Sequence, residues 1–172
     1  EERKFGDVVV SAGARMESVQ RRPDGLQNRD FSLFSWSTGA MWGFMPGYGL
    51  GMTYSVAQRA PTVEELYSNG AHHPTETFDV GNANLIKEKS QNIELTLQKN
   101  SDKLRWKANV YQNKIKDFVF GIVGDGTHFD GSGALIMEKD RVFSQADATL
   151  RGTEAEVSYN LNEPGWFGRL FA

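Results

Sequence analysis

The chain has 172 residues, a formal charge of −3, 39% hydrophobic and 24% charged residues, a composition that suits one folded domain. There is no basic surface to hold a nucleic-acid backbone and no zinc-finger or helix-turn-helix signature, so nucleic acid is not expected as a partner. The absence of cysteine excludes disulfide frameworks, thiolate zinc sites and cysteine nucleophiles. No run approaches the roughly 18 apolar residues of a membrane helix, and the opening EERKFGD lacks a basic segment followed by an apolar core. A membrane crossing by β-strands stays open, because its signal per strand is much weaker.

In Asp7–Ser18 the residues Val8, Val10, Ala12, Ala14 and Met16 alternate with Ser11, Gly13, Arg15 and Glu17, the period of a strand with one apolar and one polar face. Phe31–Phe44 repeats the pattern with Phe34, Trp36, Ala40, Trp42 and Phe44 against serines and glycines. A third run sets Leu50, Met52, Tyr54 and Val56 against Gly51, Thr53 and Ser55; a fourth sets Ile93, Leu95 and Leu97 against Asn92, Glu94 and Thr96. A fifth starts from Trp106, Ala108 and Val110, and beyond Tyr111 its phase is not defined by the residues. A sixth has Ala155, Val157 and Tyr159 opposite Glu154, Glu156 and Ser158, whereas Ala146, Ala148 and Leu150 upstream sit on the other parity. A bulge near Gly152 would restore the phase. A seventh strand is expected from Trp166 toward Ala172.

The connections alternate between long and short. Val19–Asp30, Ala60–Glu88 and Val123–Val142 are long; Met45–Gly49, Asn100–Lys103 and Asn162–Gly165 are short. Long loops at one end and short turns at the other mark an outer-membrane barrel, with the turns in the periplasm. A soluble sandwich or lipocalin-like barrel also alternates with period two, but several runs here approach the nine to eleven residues, roughly, of a tilted membrane strand. The polar face also carries Arg15, Glu17, Glu94, Glu154 and Glu156. Phe44, Tyr48, Trp106, Trp166 and Phe167 lie close to the short turns, where an interfacial aromatic girdle is expected. The expected fold class is therefore all-β, an antiparallel up-and-down transmembrane β-barrel segment.

The segment Tyr54–Leu95, YSVAQRAPTVEELYSNGAHHPTETFDVGNANLIKEKSQNIEL, has local physical content of its own. Pro61 cannot donate to a strand ladder and ends the third run. Thr62 followed by Glu65 reads as a capping box opening a short helix, and Gly81-Asn82 reads as a turn. This segment resembles the barrel signature of TonB-dependent receptors, carried by Arg59, Pro61, Thr62, Glu65, Leu66, Tyr67, Gly81, Asn82, Leu85, Glu88, Ser90, Asn92 and Glu94. Tyr111–Val119 and Leu150–Leu161 match further pieces in the family's order.

The resemblance implies a Gram-negative outer-membrane importer whose complete barrel has about 22 strands. Residues 1–172 would supply about seven of them, as a partial barrel domain, with the plug, the TonB box and the closing strands outside it. The implied partners are outer-membrane lipid, a TonB-ExbB-ExbD complex acting through the plug, and a scarce nutrient as cargo. Within the family, Asn69–Leu85 looks most like the zinc-importing branch, which points to His72.

His73, Glu76, Asp79, His128 and Asp130 lie in loops on the same side, and imidazole with carboxylate suits Zn²⁺. No His-x-x-x-His spacing or HExxH frame fixes a metal site, however. Haem would also use a loop histidine, and a ferric siderophore would favour loop aromatics and arginines, so zinc, haem and siderophore stay open as cargo and no resident cofactor is expected. A passive structural or adhesive barrel is the alternative. Without a GxSxG elbow or a nucleophile-base spacing, no enzyme is expected.

Overall fold

The alternating runs form one continuous 10-stranded sheet in a computed structural model that describes residues 1–101, 103–129, 132–160 and 169–171. In chain order the elements are β1 (Glu2–Phe5), β2 (Val8–Arg21), β3 (Arg29–Met45), β4 (Tyr48–Arg59), α1 (Val63–Tyr67), β5 (Asn69–His72), β6 (Thr77–Val80), β7 (Glu88–Lys99), β8 (Leu104–Phe129), β9 (Leu135–Asn160) and β10 (Arg169–Phe171). The long strands β2, β3, β4, β7, β8 and β9 pair antiparallel in that order, and β10 continues the meander on the far side of β9. β10 lies in the stretch where a seventh strand was expected; Trp166 and Phe167 fall outside the described residues. β1 is an addition that no apolar alternation announces, folding back on β2 across Gly6 and Asp7.

Directly paired residues in an antiparallel ladder share a face. Trp42, Leu50, Leu97, Ala108 and Ala155 make one apolar row, and Ala40, Met52, Leu95, Val110 and Thr153 the next. Met52, Leu95 and Val110 are 48%, 46% and 48% exposed. A soluble protein rarely shows so continuous an apolar surface, whereas a membrane strand presents such a face to lipid. The rows on the other face are polar: Gly39, Thr53, Glu94, Tyr111 and Gly152 in one, Ser37, Ser55, Asn92 and Asn113 in another. This separation disfavours the soluble sandwich, in which the apolar face would be covered.

The upper edge of the apolar face steps down across the sheet. The last apolar residue before a polar one is Phe34 on β3, Val56 on β4, Ile93 on β7, Val110 on β8 and Ala155 on β9, each one row lower than its neighbour. A flat hydrocarbon boundary crossing strongly tilted strands produces this staircase. At the short-turn end the girdle forms as expected for the described aromatics, with ring centroids of Trp42 and Phe44 at 5.7 Å, Phe44 and Tyr48 at 6.1 Å, and Tyr48 and Trp106 at 6.3 Å.

Two expectations are corrected. Gly152 holds unbroken register with Tyr111, and the shift falls instead between Ile115 and Phe118, where Asp117 has φ 55. Gly152 is needed for another reason: a Cβ there would lie 2.5 Å from the Tyr111 hydroxyl, so the glycine makes room for the ring across the strand. Leu150, opposite Asn113, consequently lies on the polar face. The stretch Val123–Val142 is largely hairpin rather than loop, because β8 and β9 stay paired as far as Phe129 and Leu135. Its glycines obscure side-chain alternation, but the backbone ladder does not depend on it.

Candidate functional site

A small core sits on the polar face of the sheet at the long-loop end, built from Phe31, Leu33, Ala60, Leu66, Leu85 and Val119. The signature segment makes it. Pro61 ends β4 fully enclosed, its carbonyl accepting from Arg21 Nε at 3.0 Å. Thr62 Oγ1 accepts from the Glu65 amide at 3.2 Å while Glu65 Oε2 accepts from the Thr62 amide at 2.8 Å, so the expected capping box is formed. A helix of 5 residues cannot persist through its own hydrogen bonds. Thr62→Ala is therefore expected to cost about 1 kcal/mol of local stability, read as faster amide exchange at Glu65 and Leu66 with unchanged protection in β7.

Arg59 ties this helix to the barrel wall. Its guanidinium donates to Glu88 at 2.8 Å through both Nε and Nη2, and to Glu65 at 2.9 and 3.1 Å. The Glu88 bonds, joined by Glu65, hold Arg59 above its usual value against the cost of burial. Burial by itself would raise the Glu88 carboxyl; Arg59 and the Val119 amide outweigh it and leave Glu88 below the usual carboxylate range. Gly81 and Asn82 close the loop onto α1, the Gly81 amide donating to Ser68 O at 2.7 Å and the Asn82 amide to Glu65 O at 2.9 Å. Leu66 and Leu85 are the enclosed apolar anchors, and the Tyr67 hydroxyl donates to Gln27 O at 2.5 Å. On β7, Ser90 donates to Asn113 Oδ1 at 2.7 Å, Asn92 faces Ser55 and Asn113, and Glu94 accepts from Thr96 at 3.4 Å. Arg59, Glu65, Gly81, Asn82 and Glu88 thus latch the loop, whereas Ser90, Asn92 and Glu94 are engaged within the wall of strands itself.

The histidines sit farther out. β5 and β6 form a hairpin with His72 at its tip, and β6 lies parallel to β9 with Phe78 opposite Asp140 and Val80 opposite Val142. The His72 and His128 segments, far apart in sequence, are thereby neighbours: the Phe78 ring stacks on His128 with centroids 3.9 Å apart and planes at 8°. His128 Nε2 is bonded to Asp140, and Asp79, 5% exposed, is gripped by Arg141 and by the Thr77 hydroxyl at 2.8 Å. Burial would raise the Asp79 carboxyl, but Arg141 and Thr77 more than offset it and hold it below the usual range. His72 Nδ1 meets Thr75 Oγ1 at 2.7 Å, an arrangement that orients the ring and leaves Nε2 for a ligand. His73 and Glu76 are exposed beside it, Glu76 at φ 52.

Asp130 lies outside the described residues, and among the described residues no three His, Asp or Glu side chains gather as a metal site. Arg141, Asp140 and Phe78 were not singled out from sequence. Their partners stand at separations such as the 62 residues between Asp79 and Arg141, and no local pattern encodes that pairing.

A family described as "TonB dependent receptor-like, beta-barrel" matches residues 2–172. A curated relative, the Heme/hemopexin utilization protein C of Haemophilus influenzae, is 27% identical over 90% of this chain and 24% of its own length. The chain thus spans about a quarter of the length of the curated relatives it matches. Among solved structures, a copper transporter, OprC, aligns with TM-score 0.72 at 21% identity over 92% of this chain and 24% of that one. The Serratia marcescens hemophore receptor HasR, in complex with its hemophore and heme, aligns with TM-score 0.62 at 13% identity over 89% of this chain and 27% of that one. Both structural likenesses bear on the fold.

Proposed function

The chain belongs to the TonB-dependent receptor-like β-barrel family of Gram-negative outer membranes, and from that premise we propose that it forms the wall and part of the ligand vestibule of a nutrient importer whose cargo is haem. The observation that carries the cargo is His72, presented at a hairpin tip with Nδ1 held by Thr75, the arrangement of an axial ligand to haem iron. The name of the curated relative, heme/hemopexin utilization, points the same way. Transport would draw on a TonB-ExbB-ExbD complex through a plug. A passive adhesive barrel is the weaker reading, since the matched family is one of receptors.

A second reading, a transition metal such as zinc, is favoured by the exposed His73 and Glu76 next to His72, with Asp130 as a further candidate ligand. Zinc would need about three or four ligands, where haem iron needs one or two. Titration of the full-length receptor with haem, Zn²⁺ and ferric siderophores separates these cargoes. Haem is expected to bind with a Soret shift that His72→Ala weakens at least about tenfold, about 1.4 kcal/mol. Binding of Zn²⁺ without haem would transfer the proposal to the metal, and haem binding indifferent to His72→Ala would remove this residue from it.

A further inference from the structure

A line of hydrogen bonds runs from the His72 ring back to β9. His72 Nδ1 meets Thr75 Oγ1 at 2.7 Å, Thr75 Oγ1 meets Thr77 Oγ1 at 2.8 Å, and Thr77 Oγ1 meets Asp79 Oδ1 at 2.8 Å. Arg141 on β9 closes the line, donating to both Asp79 oxygens. The backbone of the hairpin brings these groups together. Thr77 and Asp79 alternate on one face of β6, His72 pairs with Thr77 across the hairpin, and Thr75 ends the single turn His73–Thr75 between them. Thr77 and Asp79 are buried, so water does not compete for the inner bonds.

One placement of the protons satisfies the whole line. A guanidinium carries donors alone, and a hydroxyl carries a single proton. Both Asp79 oxygens face Arg141 N–H groups, so the carboxylate accepts throughout and its bond with Thr77 uses the Thr77 proton. Thr77 Oγ1 must then accept from Thr75, which uses the Thr75 proton. Thr75 Oγ1 is left to accept, and the donor that meets it is Nδ1–H of His72. The rival acceptor for the Thr75 proton, the His72 carbonyl, stands at 3.4 Å; choosing it would set two bare hydroxyl oxygens against each other at 2.8 Å. A neutral imidazole with its proton on Nδ1 has its lone pair on Nε2. Among the described residues Nε2 makes no hydrogen bond or ion pair.

We propose that Thr75, Thr77 and Asp79, clamped by Arg141, are positioning residues that fix neutral His72 in its Nδ1–H form and so keep Nε2 bare for coordination. A free histidine side chain prefers the opposite, Nε2–H form. The carboxylate at the far end also polarises the line, which raises the basicity of Nε2 as a ligand. What Nε2 coordinates rests on the cargo reading above, whereas the tautomer stands apart from it.

The test uses the full-length receptor without cargo, its histidine ring nitrogens isotopically labelled, at about pH 8.5, above the ordinary range of histidine titration. Ring-nitrogen chemical shifts report the tautomer, and the signals lost in His72→Gln assign it. The wild type is expected to show a protonated Nδ1 and a bare Nε2. Thr77→Val should return His72 toward Nε2–H, because the Thr75 proton is then free to turn to Nδ1, and Thr77→Ser should keep the wild-type pattern. Unchanged amide exchange at Phe78 and Val80 shows that the hairpin is still docked. Haem added afterwards should bind about tenfold or more weakly to Thr77→Val, with its reduction potential shifted upward and restored by the serine variant. An Nε2–H tautomer in the wild type overturns the proposal, as does a tautomer indifferent to Thr77→Val in a docked hairpin. Should Thr77→Val undock the hairpin, Thr75→Val decides, since Thr75 is exposed; loss of the Nδ1–H form there supports the proposal and its retention overturns it. Haem binding indifferent to His72, with the tautomer still following the series, removes the cargo reading and leaves the hydrogen-bond line standing.

Discussion

Gly81→Ala is expected to unseat the signature loop while leaving the barrel strands intact. A Cβ at this position would lie 2.5 Å from Tyr67 N and 2.6 Å from both Leu66 C and Ser68 N. These are backbone atoms at the end of α1, so no rotamer change relieves the contact. The loop would have to back away, lengthening the Gly81–Ser68 and Asn82–Glu65 bonds of 2.7 and 2.9 Å and loosening Leu85 from the core. Overpacking of this kind costs about 1–3 kcal/mol, and the lost bonds bring it to the upper part of that range. Hydrogen exchange should show deprotection across α1 and Asn82–Leu85 with β7 and β8 unchanged, and on the proposed role of His72 cargo binding should fall with it. Gly70→Ala is the matched control, because nothing lies within 4 Å of a Cβ there; equal effects of the two substitutions would show that the close approach of Gly81 does not matter.

How far such features are legible in sequence depends on the range of the interaction behind them. Strand faces are periodic, so Val8–Met16 and Leu50–Val56 declare themselves. The capping box is also local, three residues from Thr62 to Glu65, and could be read before any fold was known. The bulge at Asp117 could not, because it is a mismatch between two strands and appears in neither alone. The parity change between Ala146 and Ala155 was visible, but the nearby glycine drew the explanation to the wrong strand. Gly152 answers to the Tyr111 ring instead.

The candidate site divides along the same line. Residue types suited to metal chemistry were plain, yet whether a side chain is available depends on partners that sequence spacing hides. Asp79 is engaged by Arg141 and His128 by Asp140, whereas His72 holds only short-range bonds around Thr75. Arg59 lies at the other extreme: the motif names it, and its contacts with Glu65 and Glu88 account for its place there without any ligand.

Arg141→Leu is expected to release the β5–β6 hairpin from β9. The guanidinium grips a carboxylate that is only 5% exposed, and removing one partner of a buried pair strands the other at a cost of about 3–5 kcal/mol. The hairpin is held otherwise by three parallel pairings, Phe78–Asp140 to Val80–Val142, by the Phe78–His128 stack, and just beyond β6 by Asn82 Nδ2 donating to Phe143 O at 3.3 Å, too little to retain an unpaired charge. Exchange protection at Phe78 and Val80 should collapse while β7 keeps its own.

The pH dependence gives the sign. In the wild type the folded Asp79 carboxyl is depressed, so its contribution is fully present above the unfolded value of about 3.9 and disappears as pH falls through the lower folded value. Docking should therefore hold at pH 5. In Arg141→Leu the depressing cation is gone and burial, which raises the carboxyl, prevails; mild acid should then restore part of the docking by neutralising Asp79. Asp79→Asn combined with Arg141→Leu should recover most of the protection at pH 7. If the double variant is as unprotected as Arg141→Leu, packing of the arginine stem rather than its charge holds the hairpin.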